Sequence, residues 1–418
     1  MSAGCANHRK RLLLLVPTTT YRTEDFMEAA GRLDVDLVVA SERDNTMAAR
    51  FPDNLLTLPF DRPEEAARQI ETWAAGRRLD AVVAVDDAAV VAGAAIADAL
   101  GLRSNPVAAA SATRNKLVMR EQLRAAGVPA PLFTSAGVAE DPAEVAQRVS
   151  YPCVLKPLML SASRGVIRAD TPGEFANAFR RVAAILATPD VAGSGAGADR
   201  ILVEAFVPGA EVALEGLICD GVLDTLALFD KPDPLDGPFF EETIYVTPSR
   251  LPADTQAAVR DGTARAAAAL GLRDGPVHAE LRVNAGGAWL IEIAGRSIGG
   301  LCSRTLRFGT GMTLEEIILR HALSLPLGPT EREGAAAGVM MIPIPRAGVL
   351  RAVHGREEAR AEPAIEDVAI SAHLGQAIVP LPEGSQYLGF IFSRAATPEA
   401  AEAALRRAHA HLRFDIGP

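Results

Sequence analysis

Lysine is nearly missing from this chain. It stands only at Lys10, Lys116, Lys156 and Lys231, and the other 38 of its 42 basic residues are arginine. Arginine therefore serves almost everywhere a cation will do. The few lysines mark places where a compact ammonium differs from a planar guanidinium in reach and geometry. Cysteine is just as sparse. Cys5, Cys153, Cys219 and Cys302 are scattered with no C-x-x-C pair, which argues against a disulfide framework and for reduced thiols in the cytoplasm. A basic surplus is absent too: the net charge is −10, which argues against a nucleic-acid partner. It does not exclude an anionic substrate, because a local site can still be positive. There is no run long enough to span a membrane. "LLLLV" after "HRKR" is short of the roughly 7–15 apolar residues of a signal-peptide core, and it reads as a first β-strand. Aromatic residues are only 5%, so a core drawn from a 49% hydrophobic composition relies largely on alanine and aliphatic side chains.

What is present is punctuated α/β patterning. At 418 residues, two to four domains are expected, at roughly 150 residues each. "RLLLLV", "VDLVVA" and "LDAVVAV" read as short strands. "PEEAARQIETWAAG" and "AAVVAGAAIADALG" have helical spacing and end in glycine. Their alternation predicts a parallel sheet, without a G-x-G-x-x-G turn. Asp86 and Asp87 follow a strand and are read as caps of the next helix. "SATRNKLVMREQLRAAGVPAP" reads as one amphipathic helix. "VAGSGAGAD" reads as a low-complexity surface loop. "PVHAELRV" and "AWLIEIAG", joined through "NAGG", form a hairpin signal. A final region of short strands ends in "YLGFIFSR" and the helix "TPEAAEAALRRAHAHL".

Three stretches can carry chemistry. In the hairpin, alternate residues share a face, which groups His278, Glu280 and Arg282 on one strand and Glu292, Ala294 and Arg296 on the other. Two carboxylates side by side repel unless a proton or cation sits between them. Magnesium held by one or two carboxylates and substrate phosphates would satisfy them; a solvated face with salt bridges is the plainer alternative. In "YPCVLKPLMLSASRGVI", a strand reaches Lys156 and then a loop of small and hydroxyl residues. Such a loop can cover phosphates with backbone N–H groups or simply be a turn; it is no Walker A loop. "ILVEAFVPGAEVALEGLI" places Glu204, Glu211 and Glu215 in two apolar strands, where a buried acid needs partners.

In this order the pieces resemble the ATP-grasp superfamily of carboxylate–amine ligases, over roughly residues 111–328, and within it most the L-amino acid ligases, which form dipeptides. The features are "NK…M…L…AGVP.P", "YPCVLKP" with its small-residue loop, E-x-x-x-P-G-x-E, and an acidic hairpin ending in "EIAGRSIGG". The resemblance implies an α/β chain, α+β in its ATP-grasp part. It divides into an N-terminal parallel α/β domain (1–110), a central two-part ATP-grasp domain (111–328) with a mobile lid at about 150–208, and a C-terminal α+β domain (329–418). It implies ATP and Mg2+, or Mn2+, as cofactors, amino acids as substrates, and no nucleic-acid or membrane partner; a homodimer is compatible with it. Lys116 and Lys156 match phosphate-holding lysines, with Ser161, Ser163 and Gly165 in the loop above them. Glu204 and the backbone of Val207 match the adenine end, and Glu211 the ribose contact. Glu280 and Glu292 match the metal ligands, Arg296 the arginine near the transferred phosphoryl group, and His278 a histidine beside the metal. Lys231 and Glu242 match a segment bordering the substrate pocket, and Arg304 and Arg307 are expected as further clamps on substrate. Two departures stand out. Ala294 replaces the asparagine common two residues after the second acid, and the phosphate loop is poor in glycine. The implied reaction is amide formation through an acyl phosphate. The alternatives are a biotin-carboxylase-like carboxylase and a non-catalytic nucleotide-binding module.

Overall fold

The computed structural model describes residues 9–44, 50–192 and 197–418; Cys5 and the centre of the low-complexity loop at 191–199 lie outside them. The early leucine run forms the strand Arg11–Leu15, parallel to Asp36–Ser41 on one side and Ala81–Ala84 on the other, with Leu55–Thr57 at the edge. A strand buried on both faces needs continuous apolar residues rather than alternation. Accordingly Leu12 and Leu14 point into a core with Phe26, Ala29 and Ala30 of the helix Thr23–Arg32. Leu13 and Leu15 point into another, with Ala66 and Ile70 of the helix Pro63–Ala74 and Ala89, Ala92 and Ile96 of the helix Asp87–Ala99. The predicted parallel sheet is thus present.

The helix expected from Ser111 onward is two helices, Val107–Arg114 and Lys116–Ala125. Asn115 breaks them: its backbone is extended, and its side-chain oxygen accepts from the N–H groups of Leu117 and Val118 at 3.0 and 3.3 Å. Asparagine is a strong N-cap because its side chain replaces the missing helical acceptor. The break places Lys116 at the first residue of a helix.

Four antiparallel strands then make a small sheet in the order Phe133–Gly137, Arg200–Ala205, Cys153–Pro157, Ile167–Ala169. The helix Pro172–Leu186, capped by Thr171, covers it with Phe175, Phe179 and Val182. The edge strand Phe133–Gly137 precedes the expected lid boundary near 150, so this sheet begins earlier in the chain than expected. The chain leaves it through Gly209, whose φ of +124° and 2.2 Å approach of a hypothetical Cβ to the Val283 carbonyl oxygen admit only glycine.

Beyond Gly209 lies an eight-stranded antiparallel sheet, in the order Gly287–Ala294, Gly275–Asn284, Ala210–Cys219, Val222–Lys231, Ile244–Thr247, Ala336–Ile342, Gly389–Ala395, Ile365–Ile370. The helix Ala253–Leu270 packs under the hairpin end and Pro398–His411 under the other. The sheet runs without interruption across the expected domain boundary at 328. No described helix is long and apolar enough to cross a membrane.

Candidate active site

A cavity of about 1430 Å3 opens where the N-terminal domain, the small sheet and the hairpin end of the large sheet meet. Lys156 enters it from the end of its strand. Its Nζ lies 2.8 Å from Glu204 Oε2 on the neighbouring strand, and Arg120 Nε lies 2.6 Å from Oε1 of the same carboxylate. Burial raises the Glu204 pKa, but the two cations outweigh it and hold the acid down at about 2. Both Glu204 oxygens are therefore taken. Glu204, expected at the adenine end, lines the cavity and also holds the direction of Lys156. Phe206 and Val207 line the cavity beyond it, and the Val207 carbonyl accepts from Arg282 Nη1 at 3.0 Å.

Lys116 reaches the same space from its helix start. Its Nζ donates to the Leu160 carbonyl at 2.7 Å and pairs with Glu292 at 3.0 Å. The loop over it, with Ser161 and Ser163 facing the cavity, is glycine-poor yet turns through left-handed φ values at Ala162 (53°), Ser163 (55°) and Gly165 (74°). At Gly165 a Cβ would come within 2.6 Å of the Pro157 ring. Its N–H donates to the Pro382 carbonyl at 2.9 Å, and Arg181 meets Glu383 at 2.6 and 2.9 Å. The loop and its covering helix thus rest on the C-terminal region.

The hairpin forms as predicted, with His278 opposite Ala294 and Glu280 opposite Glu292. The charge grouping differs from expectation. Oxygens of Glu211, Glu242 and Glu280, not Glu292, lie within 4.8 Å of one another. The Lys231 ammonium stands among the three, 2.9 Å from Glu211, 3.0 Å from Glu280, and paired also with Glu242. Burial disfavours that charge, but the three carboxylates raise the Lys231 pKa well above its ordinary value. Burial and the neighbouring Glu280 push Glu242 up to about 7. Glu280 is held well below the carboxylate range, burial being outweighed by Lys231 and His278. Glu211, expected at a ribose, is bound between Lys231 and Arg282, the latter at 2.9 Å.

His278 Nδ1 lies 3.1 Å from the fully buried Glu215, and its Nε2 faces Glu280 at 3.7 Å. Arg296 lines the cavity but is committed to Asp87 at 2.7 Å and to the Ser297 carbonyl at 2.8 Å. Asp87 is accordingly no mere helix cap: although burial raises its pKa, Arg296 and Arg114 depress it further. Asp86 occupies the capping position with no capping bond from its side chain. Arg304 and Arg307, expected as clamps on substrate, correct that expectation by their place. Neither lines the cavity; Arg304 is tied to Asp25 at 2.9 Å and Arg307 to Glu366 at 3.2 Å. The residues sequence reasoning missed are Arg120 and Arg22. Both are buried cations hidden by the abundance of arginine, and neither motif spacing nor periodicity signals them.

Residues 149–305 match the ATP-grasp domain, 27–103 the ATP-grasp N-terminal domain and 340–417 the L-amino acid ligase C-terminal domain 2. The fold is similar to that of an L-amino acid ligase from Bacillus licheniformis, with a TM-score of 0.79 and 27% identity over 98% of this chain and 99% of that one. Alanine–anticapsin ligase of Bacillus subtilis is 27% identical over 65% of this chain and 61% of its own length. Dapdiamide A synthase of Enterobacter agglomerans is 30% identical over 53% of this chain and 51% of its own. The chain thus spans between about half and three fifths of these two relatives.

Proposed function

We propose that this ATP-grasp, L-amino acid ligase-like chain joins the carboxylate of one amino acid to the amine of another at the expense of ATP. The observation that carries the reading is the pairing of Lys116 and Lys156, under the loop of Ser161 and Ser163, with two directly opposed carboxylates, Glu280 and Glu292. The lysines are point charges suited to phosphate oxygens, and the hydroxyls and backbone of the loop from Ser161 to Ser163 would add donors. Hard carboxylate oxygens suit Mg2+ or Mn2+. Glu280 and Glu292 would hold that ion, which when bound neutralises charge on the phosphates.

The chain's own work is alignment and exclusion of water, which contributes roughly 7–11 kcal/mol when reacting atoms are pre-positioned. A substrate carboxylate oxygen attacks the γ-phosphorus, and the bond to the β,γ-bridging oxygen breaks, giving an acyl phosphate and ADP. The second substrate's amine then attacks the acyl carbon. The carbon–oxygen bond to phosphate breaks, the nitrogen loses a proton, and inorganic phosphate leaves. Lys116 and Lys156 would stabilise the transferring phosphoryl group. Arg296, steadied by Asp87, would stand beside it.

A screen of amino-acid pairs for phosphate release tests the reading. Release only in the presence of an amino acid is expected. Release with bicarbonate alone would favour a carboxylase, and silence with every pair would favour a non-catalytic nucleotide-binding module.

A further inference from the structure

Glu215 sits in the middle of the strand Ala210–Cys219, with no exposed surface. A buried carboxylate needs partners, and both that it has fall on one oxygen. Oε2 accepts the N–H of Ile298 at 3.0 Å and lies 3.1 Å from His278 Nδ1, whereas Oε1 has no hydrogen-bond partner among the described residues. An oxygen that accepts a backbone N–H serves the ring as acceptor too, so Nδ1 carries a hydrogen, and the Nε2 that faces Glu280 carries one as well when the ring is charged. Nε2 is thereby turned toward Glu280, 3.7 Å away. Ile298 is gripped on its other side as well. Its carbonyl accepts from the buried Arg22 at 3.0 Å, and the same nitrogen donates to Ser297 Oγ at 2.6 Å. The turn that follows Arg296 is thus fixed from two directions, and Glu215 is the residue that links it to the hairpin.

We infer that Glu215 is a positioning residue for phosphoryl transfer, setting with one oxygen both the His278 ring against Glu280 and the Ile298 peptide behind Arg296. The inference rests on the ligase reading above. Glu215 does not line the cavity; it acts through what it holds, as outer-shell partners do when they orient a site's direct contacts.

The test uses the full chain with Glu215→Ala, Glu215→Gln and Glu215→Asp. In the unaltered protein, 15N spectra of the His278 ring are expected to show a hydrogen held on Nδ1, in the neutral ring and in the charged ring alike. In Glu215→Ala the neutral ring should become a mixture of the two tautomers. Its kcat should fall by about 10–100-fold while KM for ATP moves by no more than about threefold, and Glu215→Asp should recover part of the loss. If the alanine variant does not fold, Glu215→Gln, which keeps the volume, carries the same readouts. A folded variant with unchanged kcat and an unchanged ring spectrum overturns the inference. The ring spectrum needs no substrate, so it supports or overturns the placement of His278 even where the ligase reading itself fails.

Discussion

Two buried lysines sit in opposite charge environments: Lys156 lines the cavity, and Lys231 lies behind the Glu211, Glu242 and Glu280 carboxylates that line it. Lys156 shares one carboxylate, Glu204, with a second cation, Arg120. Lys231 is one cation among three carboxylates. The first cluster carries formal surplus positive charge and suits phosphates. The second, with Arg282 also on Glu211, keeps one formal negative charge in surplus when all three acids are ionised, and suits a cation. The same residue type thus does two jobs: at Lys156 the ammonium is the charge on offer, and at Lys231 it restrains carboxylates that would otherwise repel. Ala294 belongs to this contrast. It removes a possible ligand opposite His278.

Removing Lys231 should break the contrast most severely. Lys231→Met leaves three carboxylates without their cation, and stability measured by denaturant unfolding at pH 8 should fall by about 3–5 kcal/mol; Lys231→Arg should lose less. An unchanged midpoint would mean that the carboxylates do not depend on it. Next in size are the opposed hairpin acids. Glu280→Ala and Glu292→Ala should each fold and lose about a hundredfold in turnover, or ~2.7 kcal/mol; near-normal phosphate release at ordinary magnesium would remove them from the site. Lys156→Arg keeps the charge and changes its shape, and turnover should fall by about tenfold, or ~1.4 kcal/mol. An unaltered rate would make the scarcity of lysine incidental.

A pH series separates the clusters. Glu204 is held at about 2 against an ordinary 4.5. Its contribution to stability is present above pH 4.5 and drains away as the pH falls toward 2. Glu242 is raised to about 7 from 4.5. The folded chain keeps a proton there that the unfolded chain has lost, so stability falls as the pH rises from 4.5 to 7. Glu242→Gln should flatten that second slope and leave the first. Identical slopes in the two proteins would contradict the assignment.

The contrast also shows what the residues alone could convey. The hairpin was legible because "NAGG" and alternate carboxylates specify a turn and a shared face locally, and the register pairs Glu280 with Glu292. Thr171 and Thr397 cap their helices as their positions before Pro172 and Pro398 suggest. The partners of these groups were not legible. Arg120 meets Glu204 across 84 residues and Arg296 meets Asp87 across 209, distances over which no periodicity operates. The break at Asn115 was missed although asparagine before a helical run is a capping signal. The residues flanking it are good helix formers, so the helical pattern continues across it. Arg304 and Arg307 were drawn toward the cavity by sequence proximity to Arg296. The short helix Cys302–Thr305 turns the chain away, toward Asp25 and Glu366.

Nucleotide analysis by chromatography tests the central claim most directly. With a productive amino-acid pair, the chain should convert ATP to ADP and inorganic phosphate in amounts equal to the amide formed. Hydroxylamine should divert the activated carboxylate to a hydroxamate. AMP and pyrophosphate as the products would contradict γ-phosphoryl activation, and with it the reading of Lys116, Lys156, Glu280 and Glu292 as one phosphate-and-metal site.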